Sequence, residues 1–120
     1  MRYQGAYADT IKVAETLLSG GDNTYTRRGQ IADVRKGYAV GGGSPALKLH
    51  KDDYDVIRVA KWIEALPSTV QKIGTWTDGA CRYFDAVDVI ENYFDAVLLG
   101  IQRGEKAIYD FTAGKEERLS

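Results

Sequence analysis

Cys81 and His50 are the single cysteine and single histidine of this 120-residue chain, so any thiol–imidazole pair would have to be theirs. Neither stands in a nucleophile-elbow or protease-like context, the settings that activate such a pair. Cys81 reads as a small, partly buried strand residue and His50 as a loop residue. Among the carboxylates, Asp52, Asp53 and Asp55 cluster, and Asp85 and Asp88 flank a strand end. Glycoside hydrolysis or metal binding needs carboxylates converging at a defined separation, which this spacing does not demand. Helix capping accounts for the first cluster. The run Val40-Gly41-Gly42-Gly43-Ser44 invites a phosphate-loop reading, since backbone amides in such loops cradle anions. The Walker form needs Gly-Lys-Ser/Thr leading into a helix, and Pro45 follows here. A tight turn remains, with anion contact open as part of a composite site. The residues suggest binding rather than catalysis.

The aromatic residues say more. Tyr83-Phe84 and Tyr93-Phe94 are consecutive, and Trp76 lies between Thr75 and Thr77. Consecutive side chains alternate in strands and fan out around helices, so such pairs cannot all face one core. Some of them must line a subunit interface or form a stacking platform for a planar ligand. Both hold if a ligand sits between subunits. Arg27-Arg28 and Arg103 with Lys106 are the basic groups that could neutralise phosphates; plain surface solvation is the other reading.

These residues must be positioned by a small number of elements. Ile11, Ala14, Leu17 and Leu18 share one face of a helix from Ala8 to Leu18, which Gly20-Gly21 would close in the left-handed conformation. Thr24 to Thr26 suits a short strand, and Arg27 to Lys36 a hairpin loop or mobile connection. Gly37 to Val40 and Ala46 to His50 read as strands around the glycine turn, in a hairpin-like pattern. Asp52 and Asp53 are expected to cap a helix running to Ala65, with Val56, Ile57, Ala60 and Ile63 inward, Trp62 at the edge and Pro67 as the stop. Val70 to Trp76 and Arg82 to Val87 form strands about Asp78-Gly79. Asn92 caps a third helix whose buried face is expected to be Val97, Leu98 and Ile101, with Gly104 closing it. Ala107 to Phe111 is a last strand, and Ala113-Gly114 turns into a charged tail. The expected fold is one α+β domain spanning 1–120, an antiparallel sheet packed with about three helices.

Composition bounds the function. Sixteen basic and seventeen acidic residues, mixed along the chain, provide no electrostatic footprint for duplex nucleic acid. No apolar run approaches the roughly 18–20 residues needed to span a bilayer. One cysteine forms no internal disulfide, which fits the cytoplasm, and one histidine with one cysteine excludes a His/Cys metal cage. No cofactor is implied.

The segments Gly37-Tyr38-Ala39-Val40-Gly41-Gly42, Gly74-Thr75-Trp76 and Arg103-Gly104-Glu105-Lys106-Ala107-Ile108-Tyr109-Asp110 carry a resemblance. In order and spacing they resemble small phage and prophage proteins, among them the anti-Thoeris, Tad-type nucleotide sponges. The resemblance implies a non-enzymatic anti-defence protein in the host cytoplasm that captures cyclic ADP-ribose isomers without cleaving them. Some members also hold cyclic oligonucleotides. Chemistry then assigns the roles: Trp76 or Phe84 stacks, Asn92 bonds a base or ribose edge, and Arg103 and Lys106 hold the diphosphate. Arg27 and Arg28 form a second, more exposed anion site. A homodimer or multiple of dimers is expected, because the adjacent aromatics exceed what one small core can bury. The alternative is a phage protein that inhibits a host defence complex by binding it.

Overall fold

A computed structural model describes residues 5–120 of the chain. In chain order they form α1 (Gly5–Ser19), β1 (Thr24–Thr26), β2 (Tyr38–Val40), β3 (Leu47–His50), α2 (Val56–Ala65), β4 (Lys72–Asp78), β5 (Cys81–Ile90), α3 (Tyr93–Gln102), β6 (Ala107–Asp110) and β7 (Lys115–Arg118). The α+β expectation holds: three helices accompany seven strands paired antiparallel throughout.

The sheet runs β1-β4-β5-β2-β6-β7, and β3 also pairs with β5. β5 is the axis. Ten residues long, it exceeds the expected strand by three at its carboxyl end. Along one edge it pairs with β4 from Lys72 to Asp78. Its other edge is shared: β3 lies against Cys81–Phe84 and β2 against Asp88–Ile90, so these two strands lie end to end on β5 and not as the expected hairpin. The glycine run Gly41–Gly43 fills the gap between them, and the Gly43 N–H donates to the Ala86 carbonyl at 3.2 Å. Gly79, at φ 60°, opens the two-residue turn joining β4 to β5, where a left-handed first residue matches the strand twist.

Two apolar clusters result. The larger joins α1, α2 and the sheet through Ala14, Leu17, Val59, Ala60, Ile73 and Phe84. The smaller is Val40, Ala96 and Ile108 beneath α3, with Tyr38, Ile90, Val97, Leu99 and Leu119 packed around it.

Several local expectations are corrected. Asp55, rather than Asp52 or Asp53, caps α2 by accepting the Arg58 N–H. Val59 is buried on that helix and Ile57 is 40% exposed. Neither Gly20 nor Gly21 is left-handed. Gly20 is needed for another reason: a Cβ there would strike the Tyr25 hydroxyl. The end of α1 is tied down by Arg82, which donates to the carbonyls of Leu18, Gly20 and Gly21. A guanidinium at a helix carboxyl end satisfies its open carbonyls and opposes the helix dipole.

On α3 the buried face is Ala96 and Gly100, whereas Leu98 and Ile101 are exposed. A Cβ at Gly100 would lie 3.2 Å from Ile108 Cγ2 and 2.6 Å from Leu119 Cδ1, so the helix seats on its small residues. Gly104 does adopt φ +72° at the end of α3. The charged tail is a strand: Lys115–Arg118 pairs along β6 at the sheet edge, where charged side chains discourage further strand addition.

Candidate functional site

Two polar constellations stand out, each built around an arginine.

The first is an open groove of about 440 Å³ lined by Thr26, Arg27, Arg28, Gln30, Gln71 and Lys72. The end of β1, the loop after it and the start of β4 supply these side chains, and Thr26 lies opposite Lys72 in the β1–β4 register. Arg27 is anchored. Its Nη1 donates to the carbonyls of Pro67 and Val70 at 2.6 and 2.9 Å, and its Nη2 to those of Ile63 and Leu66 at 3.1 and 3.0 Å. The sequence reading missed this role: Arg27 closes the carboxyl end of α2 as Arg82 closes α1. The exposed Arg28 and half-buried Lys72 make no ion pair among the described residues. The lining therefore holds three cations, two amides and a hydroxyl, without a carboxylate. Such a surface attracts anions, and its volume lies within the range of small-molecule sites.

The second constellation lies where β2 and β3 part from β5. Asp85 is 3% exposed, and the Gly42 N–H donates to both its carboxylate oxygens at 3.1 Å. A Cβ on Gly41 would strike Asp85 Oδ2 and lie 2.6 Å from Glu105 Oε1, so the two acids approach one point. Arg103 straps the seam together. Its Nη1 donates to the carbonyls of Val40 and Gly41 at 3.3 and 3.1 Å, and its Nη2 to Asp88 Oδ2 at 2.6 Å. Burial pushes the Asp85 carboxyl up to about 6, with the Glu105 charge adding to the rise against the Gly42 hydrogen bond and the Arg103 charge. Burial also raises Glu105. A carboxyl titrating near 6 is suited to proton transfer. The groove and the small hollow of about 50 Å³ beside Arg82 are lined by other residues.

The structure disperses the expected site. Arg27 and Arg28 line the groove together. Phe84 is fully buried in the larger core beside Trp62 and under the Arg82 guanidinium, so it offers no face to a ligand. Trp76 is 38% exposed, with one face stacked on Tyr83 at 5.3 Å and 12° between planes. It lies four residues along β4 from Lys72, roughly 13 Å at strand spacing, outside the groove. Asn92 spends its side-chain oxygen on the Asp95 N–H as the cap of α3. Arg103 is occupied in the seam, and Lys106 is exposed near the end of α3. Lys72, Gln30 and Gln71 were not foreseen. Gln30 is two residues from Arg28 along the chain, whereas only the pairing of β1 with β4 brings Gln71 and Lys72 beside it.

Among the described residues, no group of three His, Cys, Asp or Glu side chains is arranged to hold a metal ion, and no helix is long and apolar enough to cross a membrane. No family model matches the chain, and comparison with curated proteins and with solved structures yields no match.

Proposed function

We propose that the protein binds a phosphate-bearing signalling nucleotide in the groove beside Arg28 and holds it intact. The cyclic ADP-ribose class implied by the sequence resemblance is the first candidate, and anti-defence sequestration in a phage-infected host is the corresponding role. One observation carries the reading: Arg28 and Lys72 flank a groove whose lining contains no acid. Guanidinium and ammonium groups contact phosphate oxygens by charge-assisted hydrogen bonds, and the amides of Gln30 and Gln71 add neutral ones. Arg27 contributes mainly field, because four of its five N–H donors are already spent on carbonyls. Trp76, roughly 13 Å along β4, does not line the groove. Phosphate contact is therefore the source of affinity.

The test is calorimetric titration with a panel of cyclic nucleotides, followed by heat release and mass spectrometry of the ligand. A bound ligand recovered intact, with affinity weakened severalfold in Arg28→Ala and in Lys72→Ala, is the expected result. Recovery of a hydrolysed product would place the protein among enzymes. Binding unaffected by both substitutions would remove the groove from consideration.

A further inference from the structure

The two apolar clusters divide the molecule into halves that share β5. The larger holds α1 and α2 with β1, β3 and β4, whereas α3 packs on β2, β5 and β6 over the smaller. The halves meet where the run Gly41–Gly43 crosses from β2 to β3. There the run is tied to β5 by the Gly43 N–H, bonded to the Ala86 carbonyl, and by the Gly42 N–H, bonded to the Asp85 carboxylate.

Two carboxyls lie against this run. Asp85 is buried and Glu105 half-buried, and both reach the position that a Cβ on Gly41 would take. Two carboxylates at one point do not both ionise without cost, so such a pair retains a proton. The other groups around Asp85 leave that cost in place. From the end of α3, Arg103 is turned to Asp88 and to the carbonyls of Val40 and Gly41. Asp88 on β5 is itself an acid. The glycine run offers one N–H, from Gly42, and β4 sets Gly74 opposite Asp85, with no side chain.

We propose that the seam is a proton-operated latch: while Asp85 and Glu105 share a proton the glycine run stays closed on β5, and loss of that proton to water releases the run and the end of α3. The reason is linkage. Opening returns Asp85 to water, where its carboxyl titrates near 3.8, whereas burial and then the Glu105 charge hold it at about 6 in the closed seam. The closed form therefore binds more protons between those values. Its advantage is full below pH 4 and is lost as pH rises through 6. No residue of the latch lines the groove, so the inference stands apart from the nucleotide reading.

Amide hydrogen exchange of the whole chain tests it, followed by NMR from pH 4.5 to 7.5 and corrected for the intrinsic rate at each pH. The Gly43 amide reports the seam. The Thr75 amide, which donates to the Asn23 carbonyl at 2.8 Å, reports the larger half. Gly43 should be less protected than Thr75 and depend little on urea, as a local opening does. Its protection should fall about thirtyfold across the pH range. In Asp85→Asn the fall should vanish, and in Glu105→Gln, which removes one charge of the pair, it should shrink. Circular dichroism checks that both variants fold, and Glu105→Gln carries the test if Asp85→Asn does not. Gly43 and Thr75 exchanging together at every urea concentration would overturn the proposal, because the seam would then open only with the whole fold. So would protection at Gly43 that ignores pH, or a fall that persists unchanged in the folded variants.

Discussion

The groove and the seam each hold an arginine clasped to backbone carbonyls, yet they end with opposite character. Arg27 closes α2 and leaves Arg28 and Lys72 beside it without acidic partners. Arg103 closes the gap between β2 and β3 and is surrounded by Asp85, Asp88 and Glu105. The groove retains positive charge, whereas the seam gathers three carboxyls about one guanidinium, of which Asp88 is ion-paired to it. A basic residue in a sequence is thus no guide to a ligand until its donors are accounted for. The same bonds that make an arginine a good phosphate partner also make it a good cap for open carbonyls.

The sharpest way to break this comparison is Arg27→Met, which keeps the aliphatic stem and removes every guanidinium donor. Two carbonyls at the end of α2 and two in the loop after it lose their charged partner, and the expected cost is about 3–4 kcal/mol, read as a lower urea midpoint. An unchanged midpoint would show that the bonds to the α2 carbonyls contribute nothing, and Arg27 would return to the groove as a ligand contact.

The seam has the next largest effect, and its sign depends on pH. Asp85 titrates near 6 in the fold and near 3.8 in the unfolded chain. Between those values the folded protein binds more protons, so stability falls as pH rises from about 4 through 6. The contribution present at pH 4 and lost by pH 7 is on the order of 3 kcal/mol. Asp85→Asn removes the charge, keeps an acceptor for the Gly42 N–H and offers an amide donor toward Glu105. It should therefore raise the urea midpoint at pH 7.5 and change little at pH 4. A destabilised variant at pH 7.5 would mean that the ionised carboxylate is a net asset.

The smallest expected effect distinguishes groove from seam in binding. Arg28→Ala should weaken nucleotide affinity by about 1 kcal/mol, roughly fivefold, with the denaturation midpoint unmoved. Trp76→Ala, outside the groove, should leave the affinity unchanged. Equal losses in the two variants would extend the ligand along β4 toward the stacked Trp76–Tyr83 pair.

Local chemistry determined much of this protein directly. Alternation of Leu47 and Leu49 with Lys48 and His50 marked β3, and Asp78-Gly79 marked the hairpin. Asn92 marked the start of α3, and Gly104 its left-handed end. Each signal acts over a few residues of chain, through side-chain alternation, a cap or a permitted φ. What the sequence left open was decided by contacts between distant segments. Phe84 and Tyr83 are neighbours in β5, and only the packing of α1 and α2 determined which of them would be buried. On α3, apolar periodicity favoured Leu98 and Ile101, but the inner face is Ala96 and Gly100, and at Gly100 the close approach of Ile108 and Leu119 leaves no room for a side chain. Arg27 lies 36 to 43 residues from the carbonyls it caps, and Asp85 lies 43 from the amide it accepts. Such partners become neighbours only when the sheet assembles, so charge that looks available along the chain is spent or spared by tertiary structure alone.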